Sequence, residues 1–474
     1  MLHFYNLKKI SNYNLTRSIT TINSRNIILH ALDYPKPNRE PPFSLATASI
    51  LANIKNAGVD VQAKTWAVNN TNYSYEQVVD EILSKSTSST DIALGVYVWN
   101  DKSVVDICRS IREKGYNGLI ILGGPQITYT KSGLETLYPH ADIFIRGYAE
   151  DALTQLYTKG FNKPIKGIHY ANQPDLELQA TSILDNLISP FLSGIIKPQH
   201  FIRWETQRGC SFNCSFCQYK EVEKLKKRYL NKDRILAEAK WIVSHKIIRD
   251  IHVVDAIFNS GPNYLDVLKE LSIGSYNGKI SLQTRIEMIT DEFIEEVNKL
   301  NKTGMVVLEC GLQTSNLEEQ KYIERPTNIS RVKHQIEKVL KSDIEVEVSL
   351  IFGLPRQTLD SFKKSIEFCR NLGIPIIHAF PLTLYRGTQL WHRRNELGLI
   401  SAHEFVHNTV NRIQEDMNYV IESPSFNHYD WQEMVKIADN LSNINQTYIK
   451  NRDKKYIIEN NLTNNQKIHL SRLY

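Results

Sequence analysis

From residue 26 onward the chain alternates between two hydrophobic periods. Short apolar runs read as strands: "NIILHAL" (26–32), "VDVQAKTWAV" (59–68), "DIALGVYVW" (91–99), "GLIILGG" (118–124) and "ADIFIRG" (141–147). Between them "FSLATASILANIKNAG" (43–58), "SYEQVVDEILSKS" (74–86) and "KSVVDICRSIREKG" (102–115) carry apolar residues at helical spacing. Glycine closes the first and third of these, and Ser74 opens the second as a capping residue. "SGLETLYPH" adds a short helix. Such alternation implies parallel pairing through right-handed crossovers, hence a doubly wound sheet that binds ligands at the carboxyl ends of its strands.

The pattern starts again after "LISPFLSGIIKPQH". Strands are expected at 201–209, 250–258, 279–286, 305–313, 344–355 and 374–382, and helices at 232–246, 263–272, 290–304, 329–342 and 359–373. Six strand–helix steps in about 190 residues are too few for a closed eight-stranded barrel, which takes about 250. The expectation is a partial (β/α)6 barrel. Beyond it, "AHEFVHNTVNRIQEDMNYVI" and "DWQEMVKIADNLSNINQTYI" have helical spacing and predict a small C-terminal helical region. The domain reading is a basic leader at 1–25, a Rossmann-like domain at 26–165, a linker at 166–200, the barrel at 201–395 and the helical region at 396–474.

Composition adds limits. Of 474 residues, 42% are hydrophobic and 23% charged, ordinary for a globular chain with large cores. The net charge of +6 neither demands nor excludes an anionic partner, and with no RNA-binding pattern after the barrel nucleic acid is not expected. No run reaches the ~20 apolar residues that span a bilayer, so no membrane is expected either. The first residues hold Lys8, Lys9, Arg17 and Arg25 with no acidic residue before Asp33. That fits a disordered leader on a cytoplasmic protein or a mitochondrial transit peptide. No G-x-G-x-x-G follows the first strand, which argues against a nicotinamide dinucleotide. Gly123 and Gly124 follow the fourth, where they serve either a close ligand approach or a tight turn.

Six cysteines make no disulfide framework in a chain of this length. Cys108, Cys310 and Cys369 stand alone among apolar neighbours and read as packing residues. Cys210, Cys214 and Cys217 are different, because they crowd into "RGCSFNCSFCQYK" (208–220). Thiolates suit zinc, copper(I) or iron–sulfur clusters. A structural zinc wants four closed ligands, and residues 200–225 offer only His200 besides. Three thiolates can instead hold three irons of a 4Fe–4S cluster and leave the fourth iron open.

The spacing C-x-x-x-C-x-x-C, with Phe216 just before the last cysteine, resembles the radical S-adenosylmethionine (SAM) superfamily. "IHVVDAIF", "ECGLQTSN", "IFGLPRQT" and "PLTLYRGTQL" resemble its later strand-end signatures, in the same order. The resemblance implies that SAM binds the open iron and that one electron cleaves it to a 5′-deoxyadenosyl radical. It implies SAM-binding roles for Phe216, Asp255, Arg285, Glu309, Gln313 and Gly353. Three of them have a plainer alternative: Asp255 as a helix cap, Glu309 as a partner of Arg285, Gln313 as a strand end. An electron donor such as a flavodoxin or ferredoxin is implied, with a small-molecule or peptide substrate.

"PPFSLATASILANIKNAGVDVQ", "ILGGPQITYT" and "ADIFIRGYAED" resemble the cobalamin-binding domain that precedes many radical SAM methylases. The resemblance implies cobalamin at Gly123 and Gly124, a cleft wall from the proline-rich loop 33–43, and a corrin cover from Tyr97 or Trp99, taken to face alternately. There are departures: Tyr148-Ala149-Glu150 replaces the usual end of R-G-E-G-E, and no D-x-H-x-x-G is present. Asp250-Ile251-His252 is the nearest match and lies in the barrel, so it is a decoy. The expected function is a cobalamin-dependent methyltransferase. The alternatives are radical chemistry without methyl transfer over a relic cobalamin domain, and a non-catalytic iron–sulfur sensor.

Overall fold

The computed structural model describes residues 25–34, 43–69, 72–161, 163–219, 227–402 and 417–458. The leader before residue 25, most of the proline-rich loop and the last sixteen residues lie outside them. The chain divides into two compact units, one ending at Lys197 and one beginning at Pro198.

The first unit is built from β1 (Asn26–Asp33), α1 (Leu45–Asn56), β2 (Val61–Ala67), α2 (Tyr75–Lys85), β3 (Thr90–Gly95), α3 (Asp101–Glu113), β4 (Ile120–Gly123), α4 (Pro125–Thr128), α5 (Leu134–Leu137), β5 (Ile143–Ile145), α6 (Ala149–Lys159) and β6 (Ile168–Tyr170). The sheet order is β2-β1-β3-β4-β5-β6, parallel except for β6. Chain direction across the sheet reverses between β1 and β3, which is where doubly wound sheets of this order take their ligands. One core lies beneath α2 and α3, around Val78, Ile82, Ile107 and Ile111. The other lies beneath α1 and α6, around Ile54, Leu153 and Leu156. Each such buried side chain stabilises the sheet by roughly 1.5–3 kcal/mol.

Two expectations are corrected here. Residues 166–180 are not a linker: β6 pairs with β5, and Ala180 bridges Gly147. Tyr97 and Trp99 do not face alternately. The chain leaves the sheet after Gly95, and the two rings stack at 4.5 Å and 10°.

The second unit contains β7 (Phe201–Trp204), β8 (Gln207–Arg208), β9 (Arg228–Tyr229), α7 (Lys232–Ser244), β10 (Asp250–Val253), α8 (Tyr264–Ile273), β11 (Lys279–Thr284), α9 (Asp291–Leu300), β12 (Met305–Gln313), α10 (Leu317–Tyr322), α11 (Ile329–Lys341), β13 (Glu345–Phe352), α12 (Leu359–Asn371), β14 (Ile376–Pro381), α13 (Gln389–Arg393), β15 (Ile400–Ala402), β16 (Tyr419–Glu422) and α14 (His428–Ile458). Its main sheet is β14-β13-β12-β11-β10-β7, all parallel and open between β14 and β7. This is the six-stranded partial barrel. Along β12 and β13 fully buried Leu308, Cys310, Val346 and Val348 alternate with half-buried Glu309, Gly311, Glu347 and Ser349. One face therefore packs apolar side chains while the opposite face is polar and more open.

Helix α14 covers the β14 edge, where Asn445 pairs with both the N–H and the C=O of Ile377. Further along, Arg452 binds Glu347 at 2.9 Å and Asp453 binds Lys279 at 2.9 Å. The C-terminal region is not wholly helical. β15 and β16 form an antiparallel pair, because an apolar run as short as Tyr419–Ile421 suits a strand once a partner is available.

Candidate functional site

The parallel strands of the second unit deliver their candidate residues at their carboxyl ends. Arg285 directly follows β11, Gln313 ends β12, Gly353 directly follows β13, and the cysteine loop follows β7 and β8. The entry to that loop is fixed from two sides. Asp255, fully buried, accepts the N–H groups of Thr206 (2.8 Å) and Gln207 (3.2 Å) and the hydroxyl of Thr206. Gln207 donates to the carbonyls of Ile257 (2.6 Å) and Phe258 (3.3 Å). Gly209 then turns the chain at φ +84°.

The loop itself is pinned by its middle residue. Ser215 donates its N–H to Ile323 at 2.9 Å and accepts that of Leu390 at 3.0 Å. The Cys217 N–H closes a turn onto Cys214 at 3.1 Å, and the Cys217 sulfur accepts the Tyr219 N–H at 3.3 Å. The sulfur of Cys210 accepts the Phe212 N–H. Burial pushes the Cys217 thiol up to about 11, and the charges of Cys214 and Cys210 add to that shift. The three thiols lie close enough along one loop for their charges to act on one another. Among the described residues no three His, Cys, Asp or Glu side chains close around a single-ion point.

Two buried guanidiniums stand against this loop. Arg325 Nη1 lies 3.6 Å from the Cys214 sulfur, and Nη2 donates to the Gly311 carbonyl. Arg285 stacks on Phe212 at 3.7 Å, pairs with Glu287 and donates to the Pro326 carbonyl at 3.1 Å. Arg285 Nη1 and Arg325 Nε are buried without an acceptor. Their charges oppose each other: burial and then Arg325 lower the Arg285 pKa. Unmatched buried cations are costly unless an anion completes the site. Three thiolates outweigh the charge of the cubane they hold, so the loaded site is anionic. The residues present therefore fit a 4Fe–4S cluster.

The remaining predicted residues divide. Gln313 sits after a bulge at φ +71°, a strained backbone for a residue other than glycine. Phe216 is half-buried within the loop. Glu309 does not pair with Arg285; its neighbour is His252 at 3.8 Å, on the open face shared with Glu347. Asp255 is neither a helix cap nor open to a ligand, since its carboxylate is engaged by Thr206 and Gln207. Gly353, at φ +84°, does not leave open space: a Cβ there would lie 2.9 Å from the Val420 carbonyl. Arg325 was missed by sequence reasoning, because it follows a short helix in "YIERPTN" and meets Cys214 only through the fold.

In the first unit the ends of β1, β3 and β4 are tied together. Trp99 and Asn100 both donate to the Leu32 carbonyl, at 3.1 and 3.0 Å, and Asn100 also donates to Gly95. Gly124 has φ +96°, and a Cβ there would lie 2.7 Å from the Val96 carbonyl. Its glycine is required by the turn. A Cβ on Gly123 would meet only ordinary contacts at 3.7 Å. Arg146 grips the carbonyls of Ile127 (2.9 Å) and Thr130 just after this turn. A cavity of about 340 Å3 lies at the other end of the sheet, beside Arg112, Tyr116 and Asp142. Arg112 is committed there to Asp142 and to two carbonyls, so this cavity is not the switch-point crevice.

Comparison with known proteins accords with this geometry. Residues 204–369 match the family model of the Radical SAM superfamily. The cobalamin-dependent radical SAM methyltransferase TokK of Streptomyces tokunonensis is 23% identical over 300 residues, 58% of this chain and 44% of that protein. The 2-(S-pantetheinyl)-carbapenam-3-carboxylate methyltransferase of Streptantibioticus cattleyicolor is 21% identical over 337 residues, 65% of this chain and 48% of that protein. The matches thus span about half the length of these relatives. Among solved structures, the radical SAM methyltransferase TsrM from Kitasatospora setae, with cobalamin and a [4Fe-4S] cluster bound, superposes with a TM-score of 0.67 at 12% identity. That match covers 88% of this chain and 91% of TsrM. The cobalamin-dependent SAM radical enzyme OxsB gives 0.65 at 15% identity, over 95% of this chain and 70% of that one. The cysteine loop and most of the six parallel strands fall on the segment, residues 204–369, that matches the Radical SAM superfamily.

Proposed function

We propose that the protein is a cobalamin-dependent radical SAM methyltransferase acting on an unactivated carbon of a small-molecule or peptide substrate. It would work in the cytoplasm with a flavodoxin- or ferredoxin-type electron donor. The observation that carries the reading is the cysteine loop at the strand carboxyl ends, facing two buried arginines that share a single carboxylate, Glu287. TokK and TsrM, named for methyl transfer, support the outcome of the chemistry. When bound, the cluster supplies the electron that cleaves SAM and cobalamin supplies a methyl carrier.

The chain's own residues do the positioning. Cys210, Cys214 and Cys217 would hold the cluster; Asp255 and Gln207 fix the approach to it. Gln313, Glu309 and Phe216 present polar and aromatic groups toward the same strand ends or open face, where SAM would be oriented. Gly353 offers only backbone, since Val420 fills the side-chain space. In the first unit Gly123 would be where cobalamin meets bare backbone, and Arg146 holds the neighbouring turn.

One observation favours a competing reading, radical chemistry over a relic cobalamin domain. Gly124 is accounted for by Val96 without any ligand. The test is expression with cobalamin supplied, followed by an anaerobic ultraviolet–visible spectrum and incubation with methyl-labelled SAM and reductant. A corrinoid spectrum and label in a product support methyl transfer. A cluster without corrinoid, still forming 5′-deoxyadenosine, transfers support to the competing reading.

A further inference from the structure

We infer that Arg325 is a positioning residue that sets the reduction potential of the cluster at Cys210, Cys214 and Cys217, with Arg285 as its support. The inference rests on the radical SAM reading of those cysteines. It concerns a residue 111 positions along the chain from Cys214 and outside the cysteine motif.

Three observations carry it. Arg325 points Nη1 at the Cys214 sulfur from 3.6 Å, within the range of an N–H···S hydrogen bond. That geometry is locked, because Nη2 of the same guanidinium donates to the Gly311 carbonyl. Gly311 has no side chain to compete: a Cβ there would lie 3.5 Å from Nη2 and 2.5 Å from the Gln313 amide. Second, Arg285 adds a like charge rather than neutralising the first. It is buried, stacked on Phe212 inside the cysteine loop, and tied to Pro326, the residue after Arg325. Third, Arg285 Nη1 and Arg325 Nε are buried and lack acceptors. Among these contacts only Glu287 supplies a carboxylate, so the pair carries excess positive charge.

A buried cation beside a cluster thiolate stabilises the more negative, reduced state more than the oxidised one. Hydrogen bonds to the sulfurs and net charge are two of the factors that set the potentials of iron–sulfur clusters. Low local dielectric strengthens both. Arg325 should therefore raise the potential and bring reduction within reach of a physiological donor.

The test is an electron paramagnetic resonance redox titration of the reconstituted full chain, with iron and sulfide counted in the same samples. The proteins are the unaltered chain, R325Q, which removes the charge, and R325K, which keeps it. The expected result is full iron in all three, a more negative midpoint in R325Q and a smaller shift in R325K. Equal midpoints in R325Q and the unaltered chain overturn the proposal, as do equal shifts in both variants. If R325Q is folded by circular dichroism but takes up no iron while R325K does, the charge serves assembly and not the potential, and the proposal falls. If neither takes up iron, Arg325 only builds the loop and the proposal falls. Should R325Q fail to fold, R285Q and R285K are compared by the same criteria. Absence of a cluster from the unaltered chain would instead refute the radical SAM reading.

Discussion

Asp255 and Thr206 are bonded twice, through the Thr206 N–H to Oδ1 at 2.8 Å and through its hydroxyl to Oδ2 at 2.5 Å. The pair joins the end of β10 to the entry of the cysteine loop, in a spot with no access to water. Desolvation pushes the Asp255 carboxyl up to about 7, against the partial relief of those hydrogen bonds. The folded chain thus holds this proton more tightly than the unfolded chain does. The stability it contributes is full below about 3.9 and is lost as pH rises through about 7.

D255N can keep the same shape, with its carbonyl accepting both N–H groups. Between about pH 4 and about pH 7, the unaltered chain without cluster should lose denaturant resistance relative to D255N, with little further loss above that. Glu347 does not obscure this. Although burial opposes ionisation, His378 and Arg452 bring its pKa down to about 2, so it loses stability only in acid. Parallel pH profiles for the two proteins would contradict the assignment.

The two glycines after β4 should behave differently. G124A places a methyl group 2.7 Å from the Val96 carbonyl at a positive φ and should cost about 2 kcal/mol or more in urea unfolding. G123A meets only ordinary contacts and should stay within about 0.5 kcal/mol. If corrinoid approaches the backbone there, G123A should still weaken its binding, measured by spectral titration with hydroxocobalamin. Unchanged binding would remove Gly123 from the site.

Arg452 places a buried charge among Glu347, Glu345 and Asp453. R452A leaves Glu347 with His378 alone and should destabilise the second unit by about 3 kcal/mol or more. Thermal unfolding of R452A checks this. A midpoint within a degree or so of the unaltered chain would mean that water replaces the pair at little cost.

The order of strands and helices was legible because each element is long enough to show its period, as in "MVVLECGLQ", which is β12 from end to end. Strand length was less legible where the chain turns toward the site. β10 ends at Val253, not at 258, because Asp255 turns back to Thr206. Cys210, Cys214 and Cys217 could be read from spacing alone. Arg325 could not, since nothing local marks it and only the return of the chain after α10 brings it to Cys214. Glu309 has apolar neighbours in sequence and was matched with Arg285. Alternation in β12 instead turns it to the open face beside His252. Gly353 looked like a ligand-facing glycine, but its neighbour comes from β16, a strand the helical spacing read over 402–421 concealed.

The most direct measurement is the iron and sulfide content of anaerobically reconstituted protein, taken with 5′-deoxyadenosine formation from SAM under reduction. The account predicts about four irons and four sulfides per chain. Both cluster and 5′-deoxyadenosine should be lost in C210A, C214A and C217A. Cys108 and Cys369 are buried, and desolvation pushes each thiol up to about 12, so C108A and C369A should keep the iron. A full cluster in any one of the three loop variants, or a loaded protein that leaves SAM intact on reduction, would contradict it.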